Sequence, residues 1–386
     1  MTYTRLDDAG LTRAGALHTA REIEQQPASW ERTLTQLSGR RTEVQGFLAP
    51  LLAKSGLQII LTGAGSSAYI GECLAPTLSV ALGRRVLAIA TTDLLSNPRA
   101  HLLPNVPTLL VSFGRSGGSP ESLAVVELAD RLVNECSQLI ITCNEQGELY
   151  KRCRERRGSL ALLMPAETHD QGFAMTSSFT SMMLAAWLAL GGGTAGIQTV
   201  ARISAGARVV LSRHDATVRA LAERHFSRVV YLGSNALKAI ARESALKLLE
   251  LTDGKVVAMH ESPLGFRHGP KTIVDGASLL VVFVSNDPYT RRYDLDLLHE
   301  LRTERRAGAV LAIGAQPADN AASGESLHLE GLQDAADSEL AFPYVVCGQL
   351  YAFYRALNLG GTPDQPSHSG TVSRVVRGVT IHSWQG

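Results

Sequence analysis

The sequence predicts an α/β protein of two related domains, each a parallel sheet flanked by helices. From residue 58, short apolar runs alternate with longer helical patterns, as in QIILTGAGSSAYIGECLAPTLSVAL. This alternation is typical of buried parallel strands joined by crossover helices. The same order of strand, glycine turn and helix returns from residue 228, with Gly233 in the place of Gly63. The repetition indicates a duplicated domain.

Length and composition agree with two domains. The 386 residues exceed what one hydrophobic core usually supports, and 45% of them are hydrophobic against 19% charged. A chain of this composition is globular. The formal net charge of +1 provides no basic excess for nucleic acid or an anionic membrane. We therefore expect a small-molecule partner, no nucleic acid and no membrane.

The chain divides into four predicted segments. We expect an N-terminal helical extension that packs on the first domain, and a boundary between the domains near GGGTAG, which interrupts an apolar helix. The closing segment is rich in Gly, Pro and Ser and indicates a mobile arm over the active site. The four segments are residues 1–52, 53–205, 206–359 and 360–386.

The sequence contains no signal peptide, no disulfide pattern and no metal-ligand spacing that we recognise, and our expectations for localisation and cofactors rest on this. The first residues mix charges with apolar side chains and contain no long apolar run, so we expect a cytoplasmic protein. Five cysteines without a C-x-x-C pair predict reduced, mostly buried thiols. No H-x-x-x-H or H-E-x-x-H spacing occurs. We expect no metal and no cofactor.

The string TGAGSSA is the first candidate anion site. It joins an apolar strand to a helix, and the first amides of a helix lack intrahelical partners and bind phosphate. Gly63, Gly65 and Ala68 also satisfy the dinucleotide pattern G-x-G-x-x-A. The loop therefore leaves three alternatives: a substrate phosphate, a cofactor phosphate, or an ordinary glycine turn.

A second loop, SFGRSGGSPES, follows another apolar strand and favours a phosphorylated sugar. It contains Arg115, Ser116 and Ser119 just before a helix. Because ligands of open α/β sheets bind beyond the carboxyl ends of the strands, the two loops and Ser67 could surround one phosphate. Serines that only cap the helices are the alternative.

The helix predicted from Lys238 to Leu251 carries the candidate chemistry. Glu243, Lys247 and Glu250 lie at i, i+4 and i+7 and share one face. On an arbitrary helix, such a stripe is a solvated surface of alternating charge. The alternative is a cluster of catalytic acid and base groups.

The strings TGAGSS, SFGRSGGSPES, ESALKLLE and GFRHGP, in this order, resemble the SIS (sugar isomerase) family. The longer strings ATTDLLSNP, LLMPAETHDQGFAMTSSFT and TPDQPSHSGTVSRVVRGV resemble the galactosamine-6-phosphate deaminases of the AgaS type. The resemblance implies two related SIS lobes of three-layer αβα, flavodoxin-like fold. It also implies a homo-oligomer of at least two copies, because SIS sites are commonly completed across subunits.

The resemblance implies roles for particular residues. Glu250 would move the proton between C1 and C2, His268 would assist ring opening, and Lys247 and Glu243 would orient the base or stabilise charge on the intermediate. Arg115 departs from the glutamine of related synthases and would add charge at the phosphate or bond a nearby carboxylate. Ser177, in AMTSSFT, would add a hydroxyl or amide to the same pocket. The implied phosphate-binding residues are Ser66, Ser67, Arg115, Ser116, Ser119 and Thr176.

The implied reaction converts galactosamine 6-phosphate to tagatose 6-phosphate and ammonia. We expect release of ammonia, because no cysteine follows Met1 and no glutaminase-like segment precedes the first domain. The tail lacks the lysine that follows Asp-Gln-Pro in the related synthase, so that lysine's role is not transferred.

Other functions stay open at the level of sequence. The same site would serve a glucosamine-6-phosphate deaminase or an aldose/ketose phosphate isomerase that releases no ammonia. A regulator that senses sugar phosphates is a different class, but the chain shows no helix-turn-helix segment and no basic patch. A nicotinamide oxidoreductase is disfavoured, because the serine-rich second loop has no place in the dinucleotide fingerprint.

Overall fold

The computed structural model of the chain describes residue 4 and residues 6–317, 323–376 and 378–385. The chain falls into two compact units, each containing one sheet. The first unit comprises residues 28–170, 177–197 and 369–386, and the second comprises residues 1–27, 171–176 and 198–368. Within the described ranges, no helix is long and apolar enough to cross a membrane.

The chain opens with helices, as the sequence predicts. They are α1 (Asp8–Arg13), α2 (Leu17–Glu24), α3 (Gln26–Gly39) and α4 (Arg41–Leu52). We expected these helices to pack on the first domain; α1 and α2 are grouped with the second unit. The Asp364 carboxylate accepts from the amides of His18 and Thr19 at 3.0 and 2.7 Å and so caps α2. Gln26 also donates to Gln349 at 2.7 Å.

The first unit contains a five-stranded parallel sheet in the order β2-β1-β3-β4-β5. This is the flavodoxin-like order, with helices on both faces. The strands are β1 (Gln58–Thr62), β2 (Val86–Ala88), β3 (Thr108–Gly114), β4 (Cys136–Thr142) and β5 (Ser159–Leu163). The helices are α5 (Ser66–Leu82), α6 (Thr91–Ser96), α7 (Pro120–Leu132), α8 (Glu148–Glu155) and α9 (Ser177–Leu190).

The second unit repeats this architecture. Helices α10 (Ile197–Val209) and α11 (Asp215–Ala222) are joined by a π-helical turn, Val210–His214. The strands are β6 (Arg228–Gly233), β7 (Val257–Glu261), β8 (Ser278–Phe283), β9 (Ala309–Gly314) and β10 (Ser326–His328). The helices are α12 (Ala236–Leu251), α13 (Pro263–Phe266), α14 (Pro288–Glu304) and α15 (Asp337–Asn358). The order β10-β9-β8-β6-β7 is the order of the first sheet, which confirms the predicted fold class.

The sheets are buried on both faces because their central strands are almost wholly apolar. Every residue of β8 is buried, and so are all residues of β3 except the last. Such runs have no alternation because helices cover both faces. In each sheet, the first and third strands of the unit are neighbours. The loops that follow these two strands therefore lie side by side at one edge, where flavodoxin-like sheets bind ligands.

Candidate active site

The turn after β1 leads directly into the N-terminus of α5. A Cβ at Gly63 would lie 2.6 Å from the carbonyl carbon of Ser67, so only glycine fits. Gly65 caps α5 with φ 57° and ψ −132° and offers no side-chain cap. Ser66 and Ser67, each 4% exposed, form the first turn of α5. Helix amides in this situation are suited to binding phosphate.

Hydrogen bonds from the segment after β4 hold the loop after β3 in place. The amide of Asn144 donates to the Ser116 carbonyl at 2.8 Å, and the amide of Leu149 donates to the Gly117 carbonyl at 2.8 Å. Gly117 has φ 61°, which glycine adopts without strain. Ser119 donates to the Glu121 carboxylate at 2.6 Å. These hydrogen bonds hold the loop in place, and the Ser119 hydroxyl is engaged by a carboxylate.

Strand pairing brings the two predicted phosphate loops together. Thr62, the last residue of β1, pairs with Ser112 of β3. Both loops consequently start at the carboxyl edge of the first sheet, beside the point where the strand order reverses. The sequence-predicted Ser66, Ser67 and Arg115 to Ser119 are thus neighbours in the first unit.

Positive charge collects at this edge from two segments of the first unit. Arg115, 6% exposed, donates to the main-chain carbonyl of Arg374 at 3.0 Å. The Arg374 guanidinium donates to the carbonyl of Asp170. Burial lowers the pKa of His169, and the nearby Arg374 and Arg115 lower it further. Sequence reasoning missed Arg374 and His169, because the relevant contacts join residues far apart in the chain.

The string AMTSSFT leads into α9. The Asp170 carboxylate, 0% exposed, accepts from the hydroxyl of Ser177 at 2.5 Å and from the amide and hydroxyl of Ser178 at 2.9 and 2.6 Å. Asp170 therefore stabilises the start of this helix, and the Ser177 hydroxyl serves that contact. Thr176 is buried and belongs to the second unit. Its predicted phosphate contact stays a prediction.

The charged face of α12 is mostly buried. It is therefore not the solvated surface that the spacing alone would also allow. Glu243 and Lys247 are 0% exposed, whereas the Glu250 side chain is 24% exposed. The Lys247 ammonium lies 2.5 Å from Glu250 and 3.3 Å from Glu243. Helix α12 also approaches α15 closely: a Cβ at Gly348 would lie 2.3 Å from the Ser244 hydroxyl. The arrangement leaves one carboxylate, Glu250, accessible and oriented by a buried ammonium.

His268 lies in an anchored but exposed loop of the second unit. Its neighbours Arg267 and Lys271 both bind Glu300, and Gly269 has φ 120°. The His268 side chain is exposed and makes no hydrogen bond with the residues that the structure describes. The structure therefore shows no direct bond between His268 and Glu250.

Comparisons with known proteins agree with the motifs. The SIS domain model matches residues 51–191 and 221–358. D-galactosamine-6-phosphate deaminase AgaS of Escherichia coli is 50% identical over 368 residues, 95% of this chain and 96% of that protein. The protein of the same name from Shewanella sp. (strain ANA-3) is 46% identical over 375 residues, 96% and 93% of the two chains.

A solved structure extends the agreement to three dimensions. The crystal structure of tagatose-6-phosphate ketose/aldose isomerase from Escherichia coli matches with a TM-score of 0.91 and 46% identity, over 100% of both chains. Fold, motifs and sequence identity thus agree along almost the whole chain. The protein belongs to the SIS domain family and, within it, to the family of the AgaS proteins.

Proposed function

We propose that this protein is a deaminating isomerase that converts D-galactosamine 6-phosphate and water to D-tagatose 6-phosphate and ammonia. The observation that carries the proposal is the buried ion cluster of α12. Two buried charges orient one accessible carboxylate, Glu250, as a general base requires. The 50% identity to D-galactosamine-6-phosphate deaminase AgaS selects the substrate.

The phosphate is held by the two loops at the carboxyl edge of the first sheet. The start of α5 and the hydrogen-bonded loop around Ser116 supply amides and hydroxyls, and Arg115 supplies charge. The arm residue Arg374 holds the Arg115 guanidinium in place through its main-chain carbonyl. The charge-assisted contact between Arg115 and the phosphate is stronger than a contact between neutral groups.

Proton transfer follows from the chemistry of the substrate. His268 passes the proton that opens the ring, and Glu250 then removes the proton from C2 and returns it to C1. The C–N bond at C2 becomes an iminium, water adds to C2, and ammonia leaves as the ketone forms. Lys247 keeps the Glu250 carboxylate in one orientation during both transfers. No step requires a redox reagent.

We further propose that the protein works in the cytoplasm as a homo-oligomer of at least two copies. All five cysteines are free thiols, which suits a reducing compartment. Exposed apolar residues cluster in sequence around the catalytic segment of the second unit: Leu249, Val257 and Leu264. Half-exposed β7 is an edge strand, and a second copy that covers it would bury these side chains.

Replacement of Glu250 tests the catalytic assignment. Glu250→Gln keeps the size and hydrogen-bonding capacity of the side chain but removes the proton acceptor. We expect kcat for ammonia release to fall by about a hundredfold to ten-thousandfold, with little change in KM. Glu223→Gln, which alters an exposed glutamate at the end of α11, is the matched control and should be silent. Near-normal ammonia release by Glu250→Gln would reject Glu250 as the base.

Replacement of loop residues tests the phosphate assignment. Ser116→Ala and Ser67→Ala should raise KM, and Arg115→Gln should raise it more because a charged contact is lost. Three unchanged KM values would reject the loops as the phosphate site. Parallel assays with glucosamine 6-phosphate and N-acetylgalactosamine 6-phosphate test the substrate. We expect the first to be slower than galactosamine 6-phosphate and the second to release no ammonia.

A further inference from the structure

The second unit repeats the backbone of the phosphate turn in detail. Asn235 precedes α12 with φ 50° and ψ −120°, close to the φ 57° and ψ −132° of Gly65 before α5. A Cβ at Gly233 would meet the Leu237 carbonyl carbon at 2.6 Å, just as one at Gly63 would meet the Ser67 carbonyl carbon at 2.6 Å. The duplicated domain has therefore kept the geometry of the anion turn.

The neighbouring loop of the second unit is shorter than its counterpart. Strand pairing makes Phe283 equivalent to Phe113, and both following helices begin with proline. Six residues separate Phe113 from Pro120, but four separate Phe283 from Pro288. The shorter loop has no equivalent of the pair Gly117-Gly118.

The donors of this turn and loop are directed at two carboxylates of the same chain. Asp294 accepts from the hydroxyl of Ser234 at 2.6 Å and from the amide of Ser285 at 2.9 Å. Asp337 accepts from the hydroxyl of Ser285 at 2.6 Å and from the amide of Asn286 at 2.9 Å. Two amides and two hydroxyls thus bind negative oxygen atoms where a phosphate would need them.

The carboxylate of Asp294 is specific to the second unit. Counted from the proline that begins each helix, Asp294 of α14 stands where α7 of the first unit has the apolar Val126. Asp294 is 0% exposed, although an aspartate is rarely buried unless its charge is matched. Arg291, one helical turn earlier, is 8% exposed and donates to the Ser285 carbonyl at 3.2 Å. The site therefore combines oriented hydrogen-bond donors, the Arg291 guanidinium and a carboxylate of the chain itself, Asp294, which we call the built-in anion.

We propose that the second unit carries a copy of the phosphate cradle that Asp294 and Asp337 fill, so that each chain binds a single sugar phosphate, in the first unit. The inference rests on the proposed function, because it takes the loops of the first unit as the phosphate site. It assigns the two aspartates as positioning residues that replace a lost ligand and hold the loop after β8.

Binding stoichiometry tests the first half of the proposal. Galactitol 6-phosphate has the phosphate and hydroxyls of the substrate but no carbonyl or amine to react. Calorimetry on the full chain should give one galactitol 6-phosphate per chain, and Arg115→Gln with Ser116→Ala should abolish that binding. Two per wild-type chain would overturn the proposal. One per chain that survives both substitutions would instead reject the phosphate site of the proposed function.

Chemical rescue tests the second half. Asp294→Val gives the second unit the residue of the first and should vacate the cradle for inorganic phosphate. At saturating phosphate and constant ionic strength, we expect the Tm of Asp294→Val to rise by about 3 °C more than that of wild type. Asp296→Val, on the exposed face of the same helix, is the matched control and should behave as wild type.

A second variant keeps the test decisive if Asp294→Val does not fold. Asp294→Ser keeps a polar side chain but is too short to fill the cradle, and phosphate should stabilise it more than wild type. Equal phosphate shifts in wild type, in the Asp296 control and in the folded Asp294 variants would overturn the assignment of Asp294 as a built-in anion.

Discussion

At the scale of single residues, burial decides what a charged stripe means. Glu243, Lys247 and Glu250 have the spacing of a solvated helix face, and the sequence alone leaves that alternative open. In the structure, Lys247 is completely enclosed between the two carboxylates. A buried ion pair adds little net stability compared with apolar packing, but removal of one partner leaves an uncompensated charge.

This asymmetry gives a prediction for Lys247. Lys247→Met should lower the free energy of unfolding by about 3–5 kcal/mol, because the buried Glu243 loses its ammonium. Lys238→Met, which breaks an ion pair exposed at the surface, is the control and should cost at most about 1 kcal/mol. Urea denaturation measures both values. Recovery of stability in the double variant Glu243→Gln/Lys247→Met would confirm the cause, whereas no loss in Lys247→Met would contradict it.

A second prediction concerns the pH dependence of stability. Burial raises the pKa of Asp294 to about 6, well above its unfolded value. The folded chain therefore binds more protons than the unfolded chain between these two pKa values, and the contribution of Asp294 to stability rises as pH falls through about 6.

Asp294→Asn removes this titration. Relative to the variant, wild type should therefore gain stability when the pH falls from about 7 to about 4. Urea denaturation of both proteins across this range isolates the effect from the other titrating groups. A difference between them that is independent of pH would show that the Asp294 pKa is not raised.

At the scale of elements, most strands and their loops were predictable, and one edge strand of each sheet was not. β1, β3, β6 and β8 are long apolar runs followed by glycine or serine turns, so the pattern identifies them. β5 and β10 were missed: they lie at the sheet edges and have five and three residues. With three residues, β10 is too short to show a period, and the place of an edge strand such as β5 depends on pairing with a neighbour.

The packing of α12 against α15 gives a prediction at this scale. Gly348→Ala would place a Cβ 2.3 Å from the Ser244 hydroxyl, so it should destabilise the protein by about 1–3 kcal/mol. Gly46→Ala, in α4 with nothing within 4 Å of the new Cβ, should stabilise it by about 0.5–1 kcal/mol. Thermal unfolding of the two variants should therefore move Tm in opposite directions. A rise in the Tm of Gly348→Ala would show that α12 and α15 are not in close contact.

At the scale of the whole molecule, the duplication could be recognised from the sequence, but the assignment of segments to units could not. The repeated order of strand, turn and helix predicted two related sheets, and the strand orders agree. The opening helices α1 and α2 belong to the second unit because Asp364, far along the chain, caps α2. A contact between residues so distant in sequence leaves no local pattern. The same holds for Asp294, whose helix, RRYDLDLLHEL, resembles an ordinary surface helix.

The central claim is that one protein both isomerises and deaminates galactosamine 6-phosphate. An NMR time course of this substrate with the wild-type chain in D2O tests it most directly. We predict tagatose 6-phosphate and ammonia in equal amounts, with solvent deuterium at C1 of the product, since Glu250 exchanges its proton before returning it. Absence of ammonia, together with interconversion of galactose 6-phosphate and tagatose 6-phosphate by the same chain, would contradict the account and identify an isomerase that does not deaminate.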